Sequence, residues 1–374
     1  MCRPEFRTER SQRDNRLGRF SITGIDEVTW LIREHDAFGE YPHIYARICS
    51  TRDKGGSRTS LVVLNDTGVG TIAENHEAPC GSSVWTIRNF IDHHLNPSKD
   101  IPYLIILSHC HYDHILGLQN FLSPDQGEGE RVTSEDTDVT IMSSSFQKSF
   151  LIPHGSLEEH SLCKANHLNT PRFVPDIWAL DEQRLVYKHK MGADMTLPII
   201  TIHTPGHTPD SLSWYDEETR RLYVGDSLYQ QETDYSRNAP WGREAAAPII
   251  FPNEGNILQW WRSVEKLETF VKEENVLGKP RVTLAAGHVT AQVDAAGCLK
   301  NVKSFIAAVL RGDVPCRSLP DKRGKATGYW AFDADEPGKG LTEFSVVAPL
   351  FVIEEGRGSV PPAEWLPTEN QSTT

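Results

Sequence analysis

The segment Tyr103-Leu-Ile-Ile-Leu-Ser-His109-Cys-His111-Tyr-Asp113-His114 constrains this chain more than any other stretch. A short apolar run of this kind reads as a buried strand, and here it breaks directly into four metal-competent side chains. Extended backbone turns residues two apart to the same side, so His109 and His111 can serve one ion. Asp113 and His114 then fall in what should be the first turn of a helix, directed at a second position nearby. Imidazole and carboxylate donors suit zinc, with iron, cobalt or manganese as alternatives. The bland reading is a chance histidine cluster on a surface turn; four such side chains at one strand end argue against it.

A two-ion site needs more donors, and other strand ends supply them. Ile199-Ile-Thr-Ile-His-Thr-Pro-Gly-His207 places His207 in a Pro-Gly turn, Leu222-Tyr-Val-Gly-Asp226 ends in a carboxylate, and Leu284-Ala-Ala-Gly-His288 ends in an imidazole. Each is weak alone. Around them short apolar runs alternate with longer amphipathic ones, the pattern of an α/β protein. Strands are expected at Ile44–Cys49, Ser60–Asn65, Tyr103–Ser108, Pro198–Thr201, Leu212–Tyr215, Leu222–Gly225 and Arg281–Ala286. Helices are expected at Val84–Leu95, Asn256–Glu274 and Ala295–Leu310. Trp261 and its helical neighbours read as core.

The ends and two internal stretches break this rhythm. Residues 1–20 carry Arg3, Arg7, Arg10, Arg13, Arg16 and Arg19 with little apolar content, and read as a disordered basic arm. Residues 354–374 read as a flexible tail, which leaves one domain over 21–353. Residues 123–190, beginning with an acidic loop to 138, and 229–255 read as insertions. With 38% hydrophobic residues the chain can build a core. No apolar run approaches a membrane span, and no apolar signal core precedes the domain. Seven scattered cysteines favour reduced thiols, hence a cytoplasmic protein. The formal charge of −13 argues against nucleic-acid and membrane partners.

The motifs Asn65-Asp66-Thr67-Gly68, Ser108-His-Cys-His-Tyr-Asp-His114, Thr204-Pro-Gly-His-Thr208, Gly225-Asp226 and Gly287-His288 stand in one order over roughly residues 40–310. In this the chain resembles the metallo-β-lactamase superfamily, in its glyoxalase II and lactonase-like branch. The resemblance implies an αββα sandwich with two divalent ions, zinc first among them, along one edge. It implies that His109, His111 and His207 hold one ion, that Asp113, His114 and His288 hold the other, and that Asp226 bridges them. Asp66 matches a residue that supports the site without binding metal. Cys110, between two ligands, should point away.

Two such ions can share a hydroxide at neutral pH, so the expected reaction is hydrolysis of an ester, thioester, lactone or amide. Asp113 or Asp226 could accept a proton as the tetrahedral intermediate breaks down. Tyr229, three positions after Asp226, matches a tyrosine that reaches the substrate carbonyl in lactonases of the superfamily; an ordinary packed tyrosine is the competing reading. The glutathione-binding pattern of a glyoxalase II is absent. Phe146, Phe150 and Trp178, with Tyr229, Tyr235 and Trp241, could roof an apolar pocket, although core packing competes for the two phenylalanines. The leading expectation is opening of a small cyclic ester or cyclic amide, a lactonase or lactamase in the broad sense. A thioesterase is the alternative, and an RNase Z-like nuclease or a scaffold ranks lower. The spacers between His114 and His207 and between Asp226 and His288 are long, so substrate class transfers poorly. Oligomeric state is left open.

Overall fold

The computed structural model describes residues 16–17, 19–52, 56, 58–70, 73–74, 84–122, 138–188, 194–230, 248–332 and 343–359. Strands there whose residues are buried on alternate faces build two facing sheets. The first is eight-stranded and runs from Arg16–Leu17 through Phe20–Gly24, Thr29–Glu34, His43–Arg52, Arg58–Asn65, Tyr103–Ile106 and Val139–Ser144 to Ile177–Ala179. The second, six-stranded, runs from Gln183–Tyr187 through Met195–His203, Leu212–Asp216, Arg221–Tyr223 and Thr283–Ala285 to Val293–Asp294. Leu61, Val63, Leu104 and Ile106 of the first sheet meet Leu197, Ile199, Trp214, Tyr223 and Ala285 of the second in one core. Their neighbours Val62, Leu64, Tyr103 and Ile105 face the other way, onto Phe90 and Ile91 of helix Ile87–Leu95. Behind the second sheet, Tyr215, Leu222 and Leu284 pack on helices Ile257–Glu274 and Ala295–Arg311. This is the αββα arrangement, and its near-continuous apolar strands follow from burial on both faces.

The helices begin and end as their sequences direct. Asn256 caps Ile257–Glu274 by accepting from Gln259 N at 2.9 Å. Ile257, Trp260, Trp261, Val264, Leu267 and Val271 form its buried stripe. Asp294 caps Ala295–Arg311, which stops at Gly312 with φ 87°. Thr86 caps the first helix, so Val84 and Trp85 fall outside it, in a short strand paired with Ala73–Glu74.

Other boundaries also differ from the sequence reading. Phe20, placed at the end of the basic arm, is fully buried and opens a strand of the first sheet. The supposed insertion over 123–190 contributes Val139–Ser144 and Ile177–Ala179, which extend that sheet in parallel pairing. These strands are too short to show a period. Phe344–Ile353, read as a strand of the sandwich, is instead divided. Ser345–Pro349 joins a separate four-stranded sheet with Ile249–Ile250, Lys325–Ala331 and Cys316–Lys322. Leu350–Ser359 is helix, so the expected tail from 354 begins as ordered structure. Val352, Ile353 and Gly356 are its buried residues, and a Cβ at Gly356 would lie 2.7 Å from Ile257 Cγ2 and from Leu310 Cδ2. Residues 123–137, 231–247 and 360–374, and with them most of the acidic loop, Tyr235 and Trp241, lie outside the described residues.

One close approach ties the fold to the site. Gly117 follows the turn that carries Asp113 and His114, and a Cβ there would run into Thr67 O and lie 2.9 Å from Thr67 Cβ. Thr67 donates from its backbone N–H and from its hydroxyl to His114 O, both at 2.9 Å. Gly117→Ala is therefore expected to force the 66–70 loop off the His114 turn. It should cost about 1–3 kcal/mol of stability by overpacking, read as a lowered thermal midpoint, whereas an unchanged midpoint would show that the contact yields freely.

Candidate metal centre

The two sheets deliver their ends to one edge. Tyr223 and Ala285 are register partners in parallel strands, so Asp226 and His288, each three residues further on, emerge together. Leu212 N donates to Ser108 O at 2.7 Å, which joins the second sheet to the His109 turn of the first. His207 sits in the turn between Met195–His203 and Leu212–Asp216. Gly287 allows the closest approach: a Cβ there would strike Asp226 Oδ1 and lie 2.8 Å from His114 Cε1.

Seven side chains converge as two groups, His109, His111 and His207, then Asp113, His114, Asp226 and His288, each with donor atoms within 4.8 Å of one another. In the first, His109 Nε2 and His111 Nδ1 are 3.0 Å apart, and His207 Nε2 lies 3.2 and 3.1 Å from them. In the second, Asp113 Oδ2 lies 3.4 Å from His114 Nε2 and 3.2 Å from His288 Nε2. Asp226 Oδ2 is 3.3 Å from His114 Nε2, 3.5 Å from His288 Nε2, 3.9 Å from His109 Nε2 and 4.0 Å from His207 Nε2. That one oxygen stands between the groups.

Outer hydrogen bonds aim the rings. His207 Nδ1 donates to Ile250 O at 2.6 Å, and His288 Nδ1 to Glu40 O at 2.7 Å. A carbonyl only accepts, so the proton sits on Nδ1 and the Nε2 lone pair faces the cluster. His114 Nδ1 lies 3.0 Å from Asp66 Oδ2, and Ser108 Oγ 3.0 Å from His109 Nδ1. Asp66, with φ 63°, also accepts Ser108 N at 2.7 Å on its other oxygen, so it orients His114 and stands outside both ligand groups.

Electrostatics separates the groups. Burial, reinforced by neighbouring imidazoles, holds His109 well below its usual range, brings His111 to about 3 and lowers His207, so all three offer neutral lone pairs. In the second group burial opposes every charge. Asp113 and Asp226 are nevertheless held well below the carboxylate range, His114 foremost, and His114 and His288 are raised, Asp226 foremost. His114 Nε2 and Asp226 Oδ1 are buried without a hydrogen bond. Buried polar atoms left this way are costly unless a ligand satisfies them. Three neutral imidazoles beside a two-carboxylate, two-imidazole set fit a pair of divalent ions.

Cys110 is fully buried in the core beneath the first sheet and belongs to neither group. Tyr229 is buried, its ring edge-on to His288 at 5.5 Å, and lines a cavity of about 260 Å³ above the cluster. The expected aromatic roof is not built from the earlier insertion. Phe150 stacks on His160 within core packing, Phe146 meets His203, and Trp178 takes the Lys148 ammonium. None lines the cavity, whose apolar walls are Leu162, Pro248, Ile250, Pro252 and Val289. The sequence reading missed the wall formed by Gly39, Glu40 and Tyr41, together with Tyr112. Asp36-Ala-Phe-Gly39 carries a turn signal, but nothing in it marks Glu40 as a site residue.

Residues 62–279, more than half of the chain, match the metallo-beta-lactamase superfamily. The chain belongs to that superfamily, whose members are mostly hydrolases that bind two metal ions. His288 and the Glu40 wall lie outside the matched span. A protein of Aspergillus versicolor named "Putative transcription factor avaE" is 28% identical over 353 residues, 91% of this chain and 89% of that protein. Among solved structures, a beta-lactamase domain protein from Burkholderia ambifaria is 14% identical with a TM-score of 0.47, over 82% of this chain and 77% of its own. A metallo-beta-lactamase family protein from Thermus thermophilus is 16% identical with a TM-score of 0.46, over 77% of this chain and 82% of its own.

Proposed function

We propose that the protein is a dinuclear metal hydrolase that opens a small cyclic ester or cyclic amide. The observation that carries this reading is Asp226 Oδ2, set between two donor groups on the floor of a small cavity that Tyr229 lines. His109, His111 and His207 would hold one divalent ion, Asp113, His114 and His288 the other, and Asp226 would serve both. Zinc is the first candidate, since five of the seven donors are imidazoles. Bound there, such a pair lowers the pKa of water toward about 7 and polarises a carbonyl.

The remaining chemistry falls to side chains. Burial, then the charge of Asp226, pushes the Tyr229 phenol well above its ordinary pKa. It therefore keeps its proton and can donate to the oxygen that becomes negative in the tetrahedral state. Asp113 and Asp226 line the same cavity, and one or the other would take the proton as that state collapses, at a basicity their histidine neighbours reduce. The small volume and the apolar walls suit a compact ring in preference to a polymer. The formal charge of −13 gives a nucleic-acid substrate, or the DNA partner that the Aspergillus relative's name suggests, no support.

Acid release at constant pH across lactones, cyclic amides and thioesters, with and without chelator, tests the proposal. Chelator-sensitive opening of a cyclic ester or amide is expected, with thioesters slow. Tyr229→Phe should lower kcat about 10²-fold, as loss of one oxyanion donor does, with KM little changed. Fast cleavage of thioesters alone would transfer the reading to a thioesterase and leave Tyr229 a packing residue.

A further inference from the structure

The wall that faces the metal centre contains a third carboxylate. It sits on a loop built for rigidity: Asp36 Oδ1 accepts from the backbone N–H of Phe38 at 2.6 Å, Gly39 at 2.9 Å and Glu40 at 3.4 Å, and its Oδ2 accepts from Tyr41 N at 2.7 Å. Phe38 packs edge-on to Tyr112 at 5.6 Å, and His35 stacks on Tyr41 at 5.1 Å. Glu40 thus enters the cavity on fixed backbone. Its carbonyl holds His288 Nδ1, and one carboxylate oxygen, Oε1, accepts the Tyr112 hydroxyl. Glu40 is half-buried and lines the same cavity as Asp113, Tyr229 and His288.

Tyr112 fixes Oε1 and leaves the other oxygen, Oε2, with no hydrogen-bond partner among the described residues. A partly desolvated acceptor with one anchored oxygen and one open oxygen is a recognition element, because a charge-assisted hydrogen bond is worth most where water is thin. We propose that Glu40 determines specificity. Its carboxylate accepts from an ammonium or N–H group that the substrate carries beside the scissile carbonyl, and it repels substrates that carry a carboxylate or phosphate there. The inference rests on reading the centre as a small-molecule hydrolase, and it narrows that reading to donor-bearing substrates. Tyr112 is the positioning residue that holds Glu40 in place.

Three dihydrocoumarins of matched size, unsubstituted, aminomethyl and carboxymethyl, test it with the full chain loaded with zinc. In the wild type the aminomethyl ring should have the highest kcat/KM and the carboxymethyl ring the lowest. In Glu40→Gln the aminomethyl-to-carboxymethyl ratio should fall at least about tenfold, more than the few-fold that one close charge contact is worth in bulk water. Tyr112→Phe should lower the same ratio in part. Because the readout is a ratio within each variant, a general loss of activity cancels. A ratio unchanged in Glu40→Gln would overturn the proposal and leave Glu40 a support for His288. If zinc is bound but no lactone opens, the cyclic-ester reading fails, and the calorimetric affinities of the unopened lactones then test Glu40 through the same ratio. No affinity for any of the three would overturn both.

Discussion

Asp226→Ala is expected to lose metal-dependent turnover by at least about a thousandfold, more than any other single change at the centre. Oδ2 of Asp226 lies within 4.0 Å of the Nε2 atoms of four histidines drawn from both donor groups. Its removal takes a donor from the second group together with the oxygen that faces the first, and leaves His114 and His288 without the charge that most raises their pKa. The metal content of the purified variant, measured beside its turnover, should fall below two ions per chain. Retention of full, chelator-sensitive activity would remove Asp226 from the mechanism. Circular dichroism on the metal-free proteins separates this from a folding defect.

Asp66→Ala is expected to act strongly on metal affinity, and on only one of the two groups. Asp66 touches His114 Nδ1 at 3.0 Å and the Ser108 amide at 2.7 Å, and it accepts Asn65 Nδ2 at 3.0 Å. Without it the His114 ring loses the partner that fixes its tautomer, as happens when a carboxylate is removed from behind a metal-binding histidine. Affinity for one of the two ions should drop about 10- to 100-fold, while the other, held by His109, His111 and His207, is weakened far less. Stepwise zinc titration with a competing chelator reads this as a wider gap between the two binding steps than in the wild type. Equal weakening of both steps would show that Asp66 supports the whole edge.

Much of the candidate site was legible because its donors stand at strand ends, where a period of two and an apolar run are visible in sequence. His109 and His111 share one group, as extended backbone predicted, and Asp113 and His114 turn into a helix, Tyr112–Ile115, that directs them at the other. Asp226 and His288 could be named from motif order, but their meeting depends on the parallel register of Tyr223 with Ala285, which no local pattern encodes. Features set by long-range packing were harder to read. Phe150 belongs to the core with Leu151 and Leu157, and His160, ten positions away at the end of the short helix His154–His160, stacks on it at 3.8 Å. Glu40 reaches the cavity through a loop whose shape is set by the Asp36 side chain, and a lone glutamate in a polar turn gives no sign of where it points. The third sheet escaped notice for a similar reason. Ile249–Ile250 and Ser345–Pro349 are short, and they pair across nearly a hundred residues of intervening chain.

The most direct test of the dinuclear centre is to titrate metal-free protein with zinc while following acid release from the best cyclic substrate. Two donor groups with Asp226 Oδ2 between them predict a rise in turnover that levels off at two equivalents per chain. Full turnover in the metal-free protein, or a plateau at one equivalent, would contradict it.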